Sequence, residues 1–340
     1  MLPPLALALE VFGWSGYAAA QLRRMTRPIP RLLAAYGVWL GTSALLTLDV
    51  AAVAGASVGA DAAGRHPPAR RWHLGAAMLG ANTGSLLLPF SNLTNLVLVG
   101  ATGIGFASYV AASAAPQFAA AIAVGAMLVW RAHRSGDLPA ADDVPGEALA
   151  PARVAGLVAA AGAGGAIAFG LLGLDMALPF AAASGLLTAG VVAAGRARPR
   201  DVVRSLPIGA LLLVAAAAAL YGPLSSWAEA LPHPGGGASG LAEALVVGGT
   251  AAALVNNLPA AALGAVWLGH VSPSVVVAYL VGTNVVAVAT PHGSAATMLV
   301  RAGAHRQGVH LPAAEHVRDA WRYAVVGGLA AIAALALTRG

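Results

Sequence analysis

The chain of 340 residues is 59% hydrophobic and only 9% charged, with a mean hydropathy of +0.77. A soluble globular domain carries about 25% charged residues, so the composition excludes that class and indicates a protein embedded in lipid. The absence of cysteine excludes disulfides and thiolate metal sites. All 19 basic residues are arginines, which we interpret as signals of membrane orientation rather than as a nucleic-acid surface.

Apolar runs that are long enough to enter a bilayer follow one another along the chain. The first run, residues 3–21, lacks the features of a cleavable signal and is expected to remain as a helix. The ten predicted segments are 3–21, 33–59, 75–100, 115–130, 154–173, 176–194, 206–221, 242–268, 275–299 and 321–338.

The arginines cluster in the loops, and the positive-inside rule assigns all of them except Arg339 to the cytoplasm. Segment 33–59 then has cytoplasmic flanks on both sides, so it is predicted to be a re-entrant hairpin with its tip near residues 47–49. Segment 242–268 follows a loop without arginine and is predicted to be a hairpin that enters from the other face. Its tip is expected near Asn256 and Asn257.

The polar, acidic stretch 135–152 is predicted to be a cytoplasmic linker between two halves, 1–134 and 153–340. Each half has the order helix, hairpin, broken helix, helix, and the two hairpins open to opposite faces. Such inverted-topology repeats are common in secondary transporters. The predicted fold class is therefore an all-α polytopic membrane protein with two inverted repeats, each containing a re-entrant hairpin and a discontinuous helix.

The two halves are aligned by pairing Asp49 with Asn257 and Pro89 with Pro291. In this alignment the second half has two leading helices, 154–173 and 176–194, without a counterpart before residue 3. Asn82 and Asn284 are equivalent, and we expect them to form interhelical hydrogen bonds rather than to bind a solute.

Proline interrupts the apolar runs ANTGSLLLPFSNLTNLV, residues 81–97, and GTNVVAVATPHGSAATML, residues 282–299. A membrane helix tolerates such a break only where the freed backbone groups are buried in protein or line a cavity. Residues 89–95 and 291–297 are therefore expected to be unwound. Together with the hairpin tips they would offer helix termini, hydroxyls and amides to one solute near the midplane.

These segments resemble those of the arsenite/antimonite efflux permeases, within the wider ion transporter superfamily. SLLLPFSNLTN is similar to the family's hallmark break, and TPHGSAAT, residues 290–297, to its second break. TLDVAAV, residues 47–53, looks like the first hairpin tip, and VNNLPA, residues 255–260, looks like the second. The similarity extends from about residue 3 to the C-terminus, with the four motifs in the family's order.

The resemblance implies elevator-like movement and a substrate site without a cofactor or a resident metal. Arsenite is an uncharged trihydroxide near neutral pH, which suits hydroxyl and amide ligands. Uphill export of a neutral solute requires another ion, so exchange with protons is expected. The implied coupling residues are Asp49 and His292, and the implied substrate ligands are Thr47, Asp49, Ser91, Asn92, Thr94, Asn95, Asn256, Asn257, Thr290, Ser294 and Thr297.

The chain departs from the family pattern at several positions. His292, inside the second break, is either a proton-responsive addition or an obstruction, and Leu48 stands where an asparagine is common. Asp49 has an alternative role as a helix cap. His66, His73, His305, His310 and His316 are predicted to lie in polar loops without ligand spacing.

The expected function is export of arsenite or antimonite across a bacterial inner membrane in exchange for protons. A sodium/proton or anion carrier of the superfamily is one alternative. A transport-inactive truncated protein or interaction scaffold is another, because the first repeat lacks its two leading helices. A membrane enzyme is not expected, since no nucleophile–base pair, zinc motif or cofactor loop is visible. The expected partners are the solute, protons and lipid, with a cytoplasmic ATPase subunit and a homodimer left open.

Overall fold

The computed structural model describes residues 2–62, 66–138, 150–205, 232–235, 237–269 and 271–338, and the single positions 208, 212 and 215. Every regular element in these ranges is helical. Most of the predicted segment 206–221 and the middle of the linker 135–152 lie outside them. The helices are α1 (Leu2–Val11), α2 (Trp14–Arg23), α3 (Pro28–Leu45), α4 (Leu48–Ala62), α5 (Pro67–Gly84), α6 (Leu93–Thr102), α7 (Phe106–Ser135), α8 (Ala150–Leu171), α9 (Ala177–Ala193), α10 (Pro199–Arg204), α11 (Gly237–Val255), α12 (Asn257–Trp267), α13 (Pro273–Asn284), α14 (Ala295–Arg306) and α15 (Ala313–Leu337).

Four of these helices are long and apolar enough to cross a membrane, namely α7, α8, α11 and α15. Shorter apolar stretches occur in α4, α6, α9 and α13. Large apolar side chains lie on outer surfaces, among them Leu157 and Leu254, which are 71% and 72% exposed. Such surfaces suit lipid rather than water as the solvent. Over its described part, the chain is thus an α-helical membrane protein.

The first predicted helix, 3–21, is wrong in one respect, because the structure divides it into α1 and α2. Gly13 lies between them with φ 85°, in the left-handed region that glycine adopts without steric cost. Backbone in that conformation cannot continue a right-handed helix. The segment therefore forms two short helices of ten residues each.

Both predicted hairpins are broken where the sequence indicates. The first hairpin consists of α3 and α4, which pack on each other and are interrupted at residues 46 and 47. The second hairpin consists of α11 and α12, which also pack on each other and are interrupted at Asn256. Thr47 and Asn256 thus occupy the breaks, whereas Asp49 and Asn257 belong to the helices that follow them.

The two broken helices unwind earlier than predicted. The first elbow comprises residues 85–92, between α5 and α6, and contains a 3-10 turn at Pro89–Ser91. The second elbow comprises residues 285–294, between α13 and α14, and contains a 3-10 turn at Val286–Ala289. Helix resumes at Leu93 and Ala295, so Thr94, Asn95 and Thr297 belong to first helical turns and not to unwound backbone.

Three of the histidines predicted in loops lie in helices instead. His73 is fully buried in α5, His305 is in the last turn of α14, and His316 is in the first turn of α15. The polar residues around them suggested loops, but these helices extend beyond their apolar stretches. Only His316 proves important for the site.

Helix contacts divide the chain into two compact units. The first unit comprises residues 1–81, 129–207 and 299–311, and the second comprises 82–128, 208–298 and 312–340. In the first unit, Gly162 of α8 lies against Ala183 of α9, where an added Cβ would come within 2.6 Å of the alanine Cβ. Small residues permit this close helix approach, as is usual in membranes.

The second unit has a core of α11 and α13, with α15 packed along the 3-10 turn of the second elbow and α12 packed on α6. The whole of α13 is buried. In the first unit, the comparable contact joins α4 to α14, where Gly303 lies against Ala56 and Gln307 Nε2 donates to the Ala56 carbonyl at 3.1 Å. In each unit, the returning helix of one hairpin thus packs on the second half of a broken helix from the other half of the chain.

Candidate functional site

The first elbow is held by hydrogen bonds to its own carbonyl groups. Ser91 Oγ lies 2.6 Å from the Ser85 carbonyl oxygen and 2.7 Å from that of Leu88. Asn95 Nδ2 donates to the same two carbonyls at 2.7 and 3.0 Å. Both side chains are fully buried. The groups that unwinding frees are therefore satisfied inside the protein, as lipid requires.

A polar stripe on α7 holds the same elbow from its other side. Tyr109 Oη donates to the Leu86 carbonyl at 2.7 Å, and Ser113 Oγ donates to the Leu87 carbonyl at 2.9 Å. The Leu86 N–H donates to Gln117 Oε1 at 3.1 Å. None of these three residues was among the predicted site residues. Their spacing of four, which places them on one face of an otherwise apolar helix, is the signal that could have found them.

Polar side chains also fix the points at which helix resumes after each elbow. Asn92 Oδ1 accepts from the Thr94 N–H at 3.2 Å, and Ser294 Oγ accepts from the Thr297 N–H at 3.2 Å. These are N-caps, which satisfy the free N–H groups of a first helical turn. Asn92 and Ser294 are therefore structural caps, whatever else they bind.

Asn284, the last residue of α13, connects the two broken helices. Its Oδ1 accepts from Asn92 Nδ2 at 3.1 Å and from Thr94 Oγ1 at 2.9 Å. Its Nδ2 donates to Asn95 Oδ1 at 2.8 Å. All four side chains are at least 95% buried. Asn284 thus forms interhelical hydrogen bonds, as expected, and it does so with three of the predicted ligands.

A second connection between the broken helices is weaker. Asn82 Nδ2 donates to Thr297 Oγ1 at 3.4 Å, and Ser294 Oγ lies 3.4 Å from the same hydroxyl. Asn82 and Asn284 are 202 residues apart, and so are Asn95 and Thr297. The Asn82–Thr297 bond is therefore the counterpart of the Asn284–Asn95 bond.

The second elbow is attached mainly to the second hairpin. Thr290 Oγ1 donates to the Ala253 carbonyl of α11 at 3.1 Å, and Asn256 Nδ2 donates to the His292 carbonyl at 2.7 Å. The Ala295 N–H, at the start of α14, donates to Asn257 Oδ1 at 3.3 Å. The structure thus brings Asn256 and Asn257 together with Thr290 and His292.

Asn256 has a strained backbone at the tip of the second hairpin. With φ 92° and ψ 153°, it is the only non-glycine residue with positive φ in the described ranges. Such a conformation costs about 1–3 kcal/mol and persists only where its surroundings impose it. Its side chain accepts from the Leu258 N–H at 3.2 Å and donates to the elbow. These bonds hold the strained tip in place.

Thr47 and Asp49 belong to the first unit. Thr47 Oγ1 accepts from the Val50 N–H at 3.3 Å and caps α4. Asp49 is in the first turn of α4 and is partly exposed. Within the described ranges, no hydrogen bond or ion pair involves the Asp49 carboxylate. The alternative role as a cap therefore belongs to Thr47 and not to Asp49.

The two hairpins contact their broken helices at equivalent positions. A Cβ on Gly80 of α5 would lie 2.7 Å from the Tyr36 carbonyl oxygen and 3.1 Å from the Leu40 nitrogen. A Cβ on Gly282 of α13 would lie 2.5 Å from the Leu245 carbonyl oxygen and would also meet the Gly249 nitrogen.

The numbering of these contacts defines two constant offsets. The glycines are 202 residues apart, whereas Tyr36 and Leu245 are 209 apart, as are Leu40 and Gly249. At the offset of 209, Leu48, the first residue of α4, corresponds to Asn257, the first residue of α12. The sequence alignment of Asp49 with Asn257 therefore differs by one residue from the alignment that these contacts define.

Equivalent elbow carbonyls are also bound from equivalent helices. Tyr109 of α7 donates to the Leu86 carbonyl, and His316 Nε2 of α15 lies 2.9 Å from the Val288 carbonyl oxygen. Leu86 and Val288 are again 202 residues apart. Because a carbonyl can only accept, His316 must carry a proton on Nε2.

The network contains only neutral donors and acceptors. The hydrogen bonds that join Asn92, Thr94, Asn95 and Asn284 involve amides and hydroxyls, and those at Ser294 and Thr297 do likewise. His292 is exposed, and it joins the network through its backbone carbonyl. This arrangement can exchange hydrogen bonds with a neutral polar solute without adding or removing charge.

Comparison with known protein families and with curated proteins finds no match to the chain.

Proposed function

We propose that the chain is a secondary transporter that exports arsenite or antimonite, and that it is built from two inverted repeats. The observation that carries the proposal is the pair of equivalent bonds between the broken helices, Asn284 to Asn95 and Asn82 to Thr297. Breaks at membrane depth whose polar groups face protein are characteristic of transporter sites. The solute is proposed from the resemblance of the four sequence motifs to those of the arsenite/antimonite efflux permeases.

Support for two repeats comes from the constant offsets. Contacts of the broken helices recur after 202 residues, and contacts of the hairpins recur after 209. Unrelated helices have no reason to repeat a glycine contact, an N-cap and a bound carbonyl at fixed spacing. The opposite orientation of the repeats is inferred from the arginine distribution.

Support for a neutral solute comes from the chemistry of the network. A carboxylate or sulfate would be expected to require a cation in the site, but the groups that bind one another here are amides and hydroxyls. A trihydroxide both donates and accepts, so each bond that it makes can replace one of similar strength within the protein. The net cost of opening the network to such a solute is therefore small.

Export against a gradient needs a second ion, for which Asp49 is the proposed carrier. It is an acidic residue at a hairpin tip, and its carboxylate has no hydrogen-bonding partner among the described residues. An unpartnered carboxylate is free to gain and lose a proton without breaking structure. Ionisable groups inside membrane segments are costly to bury and are commonly functional.

The proposal can be tested by resistance of an arsenite-sensitive, efflux-deficient bacterium that expresses the chain. The wild type should raise the tolerated arsenite concentration several-fold. Thr94→Val should abolish this effect because it removes the hydroxyl that binds Asn284. Thr102→Val is the matched control, since Thr102 lies on the same helix and donates only to the Leu98 carbonyl of its own helix.

The membrane content of each variant should be compared by immunoblot. Resistance with the wild type and with Thr102→Val, but not with Thr94→Val, would support the proposal. Equal protein in the membrane without any resistance to arsenite or antimonite would contradict it. Transport that depends on sodium, or movement of an anion, would instead favour another carrier of the superfamily.

A further inference from the structure

The two elbows are attached to the rest of the second unit in different ways. In the first elbow, the carbonyls of residues 85, 86, 87 and 88 all accept hydrogen bonds from side chains. Two of the donors, Tyr109 and Ser113, come from the long helix α7. Directional bonds of this kind allow little displacement.

The second elbow lacks the equivalent donors. At the offset of 202, Ser91 and Asn95 correspond to Gly293 and Thr297. Gly293 has no side chain, and its backbone lies so close to the Ala287 carbonyl that a Cβ would clash with it. The Thr297 hydroxyl oxygen accepts hydrogen bonds from Asn82 Nδ2 and Ser294 Oγ, and the hydroxyl does not bind an elbow carbonyl as Asn95 does.

The supporting helix differs in the same way. Tyr109 and His316 are 207 residues apart, and at this offset Ser113 and Gln117 correspond to Ala320 and Ala324. Neither alanine side chain can form a hydrogen bond. The hydrogen bond of α15 that has a counterpart at the first elbow is the one from His316 to the Val288 carbonyl.

Two further contacts between α15 and the second elbow are apolar. A Cβ on Gly327 would lie 2.8 Å from Val285 Cγ1, and one on Gly328 would lie 3.0 Å from Val286 Cγ2. Contacts between glycine backbone and valine methyls are non-directional, so they change little when one surface slides along the other. Small residues allow the close approach.

The directional bonds of the second elbow go to the second hairpin instead. Thr290 binds Ala253, Asn256 binds the His292 carbonyl, and Asn257 binds the Ala295 N–H. Asn284, immediately before this elbow, is fixed by side-chain hydrogen bonds to Asn92 of the first elbow and to Asn95 of α6. A boundary between fixed and movable backbone thus lies directly after Asn284.

We infer that the second elbow and the tip of the second hairpin form one mobile element, which slides on α15 about the His316–Val288 bond while the first elbow remains fixed. The strained backbone of Asn256 fits this role, because strain of about 1–3 kcal/mol lowers the cost of leaving the present conformation. The inference concerns motion within the second unit and does not depend on the transported solute.

Hydrogen–deuterium exchange of the full chain in lipid nanodiscs tests the inference directly. Amides of residues 286–294 should exchange at least about tenfold faster than those of residues 86–92. Exchange that is equal at the two elbows, or faster at the first, would overturn the inference.

Two variants distinguish motion of the second elbow from simple solvent exposure of its amides. His316→Ala removes the bond from α15, so it should accelerate exchange at residues 286–294 and leave residues 86–92 unchanged. Ala320→Ser places a hydroxyl at the position on α15 that corresponds to Ser113 on α7. The new hydroxyl should bind the second elbow and slow exchange of its amides. If His316→Ala accelerates both elbows alike, or if neither variant alters the second elbow, the sliding element is refuted.

Discussion

The side-chain amide of Asn284 donates to the side-chain carbonyl of Asn95 across 2.8 Å, although the two residues are 189 positions apart. This bond joins the end of α13 to the first turn of α6. Asn92 and Thr94 donate to the same asparagine. The motif at residues 85–95 is therefore joined to a distant asparagine, which the sequence distinguishes only by its position in the predicted repeat.

Asn284→Ala should lower the free energy of unfolding in detergent by about 2 kcal/mol. The substitution removes three interhelical hydrogen bonds, each worth about 0.6 kcal/mol in a membrane protein. The quantity is measured by titration with a denaturing detergent, followed by tryptophan fluorescence. Thr102→Ala is the control, because it removes a bond within one helix. A loss no larger than that of the control would contradict the network.

Gly80→Ala and Gly282→Ala should each destabilise the fold by about 1–3 kcal/mol, because the new Cβ would meet backbone atoms of the facing hairpin. Gly75→Ala is a matched control on α5, since nothing lies within 4 Å of its added Cβ. That change should stabilise by about 0.5–1 kcal/mol through helix propensity. Thermal unfolding of the three variants measures the difference. Similar unfolding midpoints for Gly75→Ala and Gly80→Ala would contradict the close contact between Gly80 and the backbone of α3.

Two aromatic rings cover corresponding glycines in the two units but come from different helices, one from a hairpin and one from a broken helix. Trp39 of α3 lies over Gly55, with its Cδ2 3.2 Å from a Cβ built there. Tyr279 of α13 lies over Gly264, with its Cε1 2.5 Å from the added Cβ. Gly55 and Gly264 are 209 residues apart, as are Trp39 and Gly248. The ring thus comes from the hairpin in the first unit and from the broken helix in the second.

Gly248→Trp combined with Tyr279→Ala should bring the second unit closer to the first arrangement, because the alanine removes the clash with the Tyr279 ring, while the new Cβ still lies 2.5 Å from the carbonyl oxygen of residue 279. Each single change should be costly, by overpacking in one case and by a cavity in the other. The double variant should lose at least about 1 kcal/mol less than the sum of the two single losses. A double-mutant cycle of unfolding free energies measures this coupling. Strict additivity would count against the equivalence of the two units.

Asp49→Asn should retain exchange of arsenite down its own gradient but should abolish accumulation driven by protons in everted vesicles. The substitution preserves the shape of the side chain and removes its titratable proton. Asp175→Asn is the control, because Asp175 is an exposed loop residue that accepts from the Ala177 N–H. Undiminished proton-driven accumulation by Asp49→Asn would reject this carboxylate and direct attention to His292.

Much of the fold follows from local features of the sequence. Asn256 interrupts an apolar run, and proline with adjacent Ser, Asn and Thr interrupts two others, so the hairpin break and the two elbows could be predicted. The exact unwound residues could not be predicted in the same way. The elbows end at Asn92 and Ser294 because these residues cap the following helices, which a hydropathy pattern does not record.

The partners of the site residues were harder to predict than their positions. Tyr109, Ser113 and Gln117 lie outside the recognised motifs, and their role depends on which helix packs beside the first elbow. Gly13 resembles many other glycines in an apolar run, and only its backbone conformation separates α1 from α2. Such features depend on tertiary packing, which local propensity does not determine.

The most direct test of the proposed function is uptake of a trivalent metalloid by the purified protein in proteoliposomes. With arsenite outside and a proton gradient directed outward, wild-type protein should accumulate arsenite above its external concentration. Collapse of the gradient with a protonophore should abolish this accumulation, and Thr94→Val should lack it while Thr102→Val retains it. Arsenite and antimonite levels no higher than in protein-free liposomes, with the protein shown to be folded and inserted, would contradict the account.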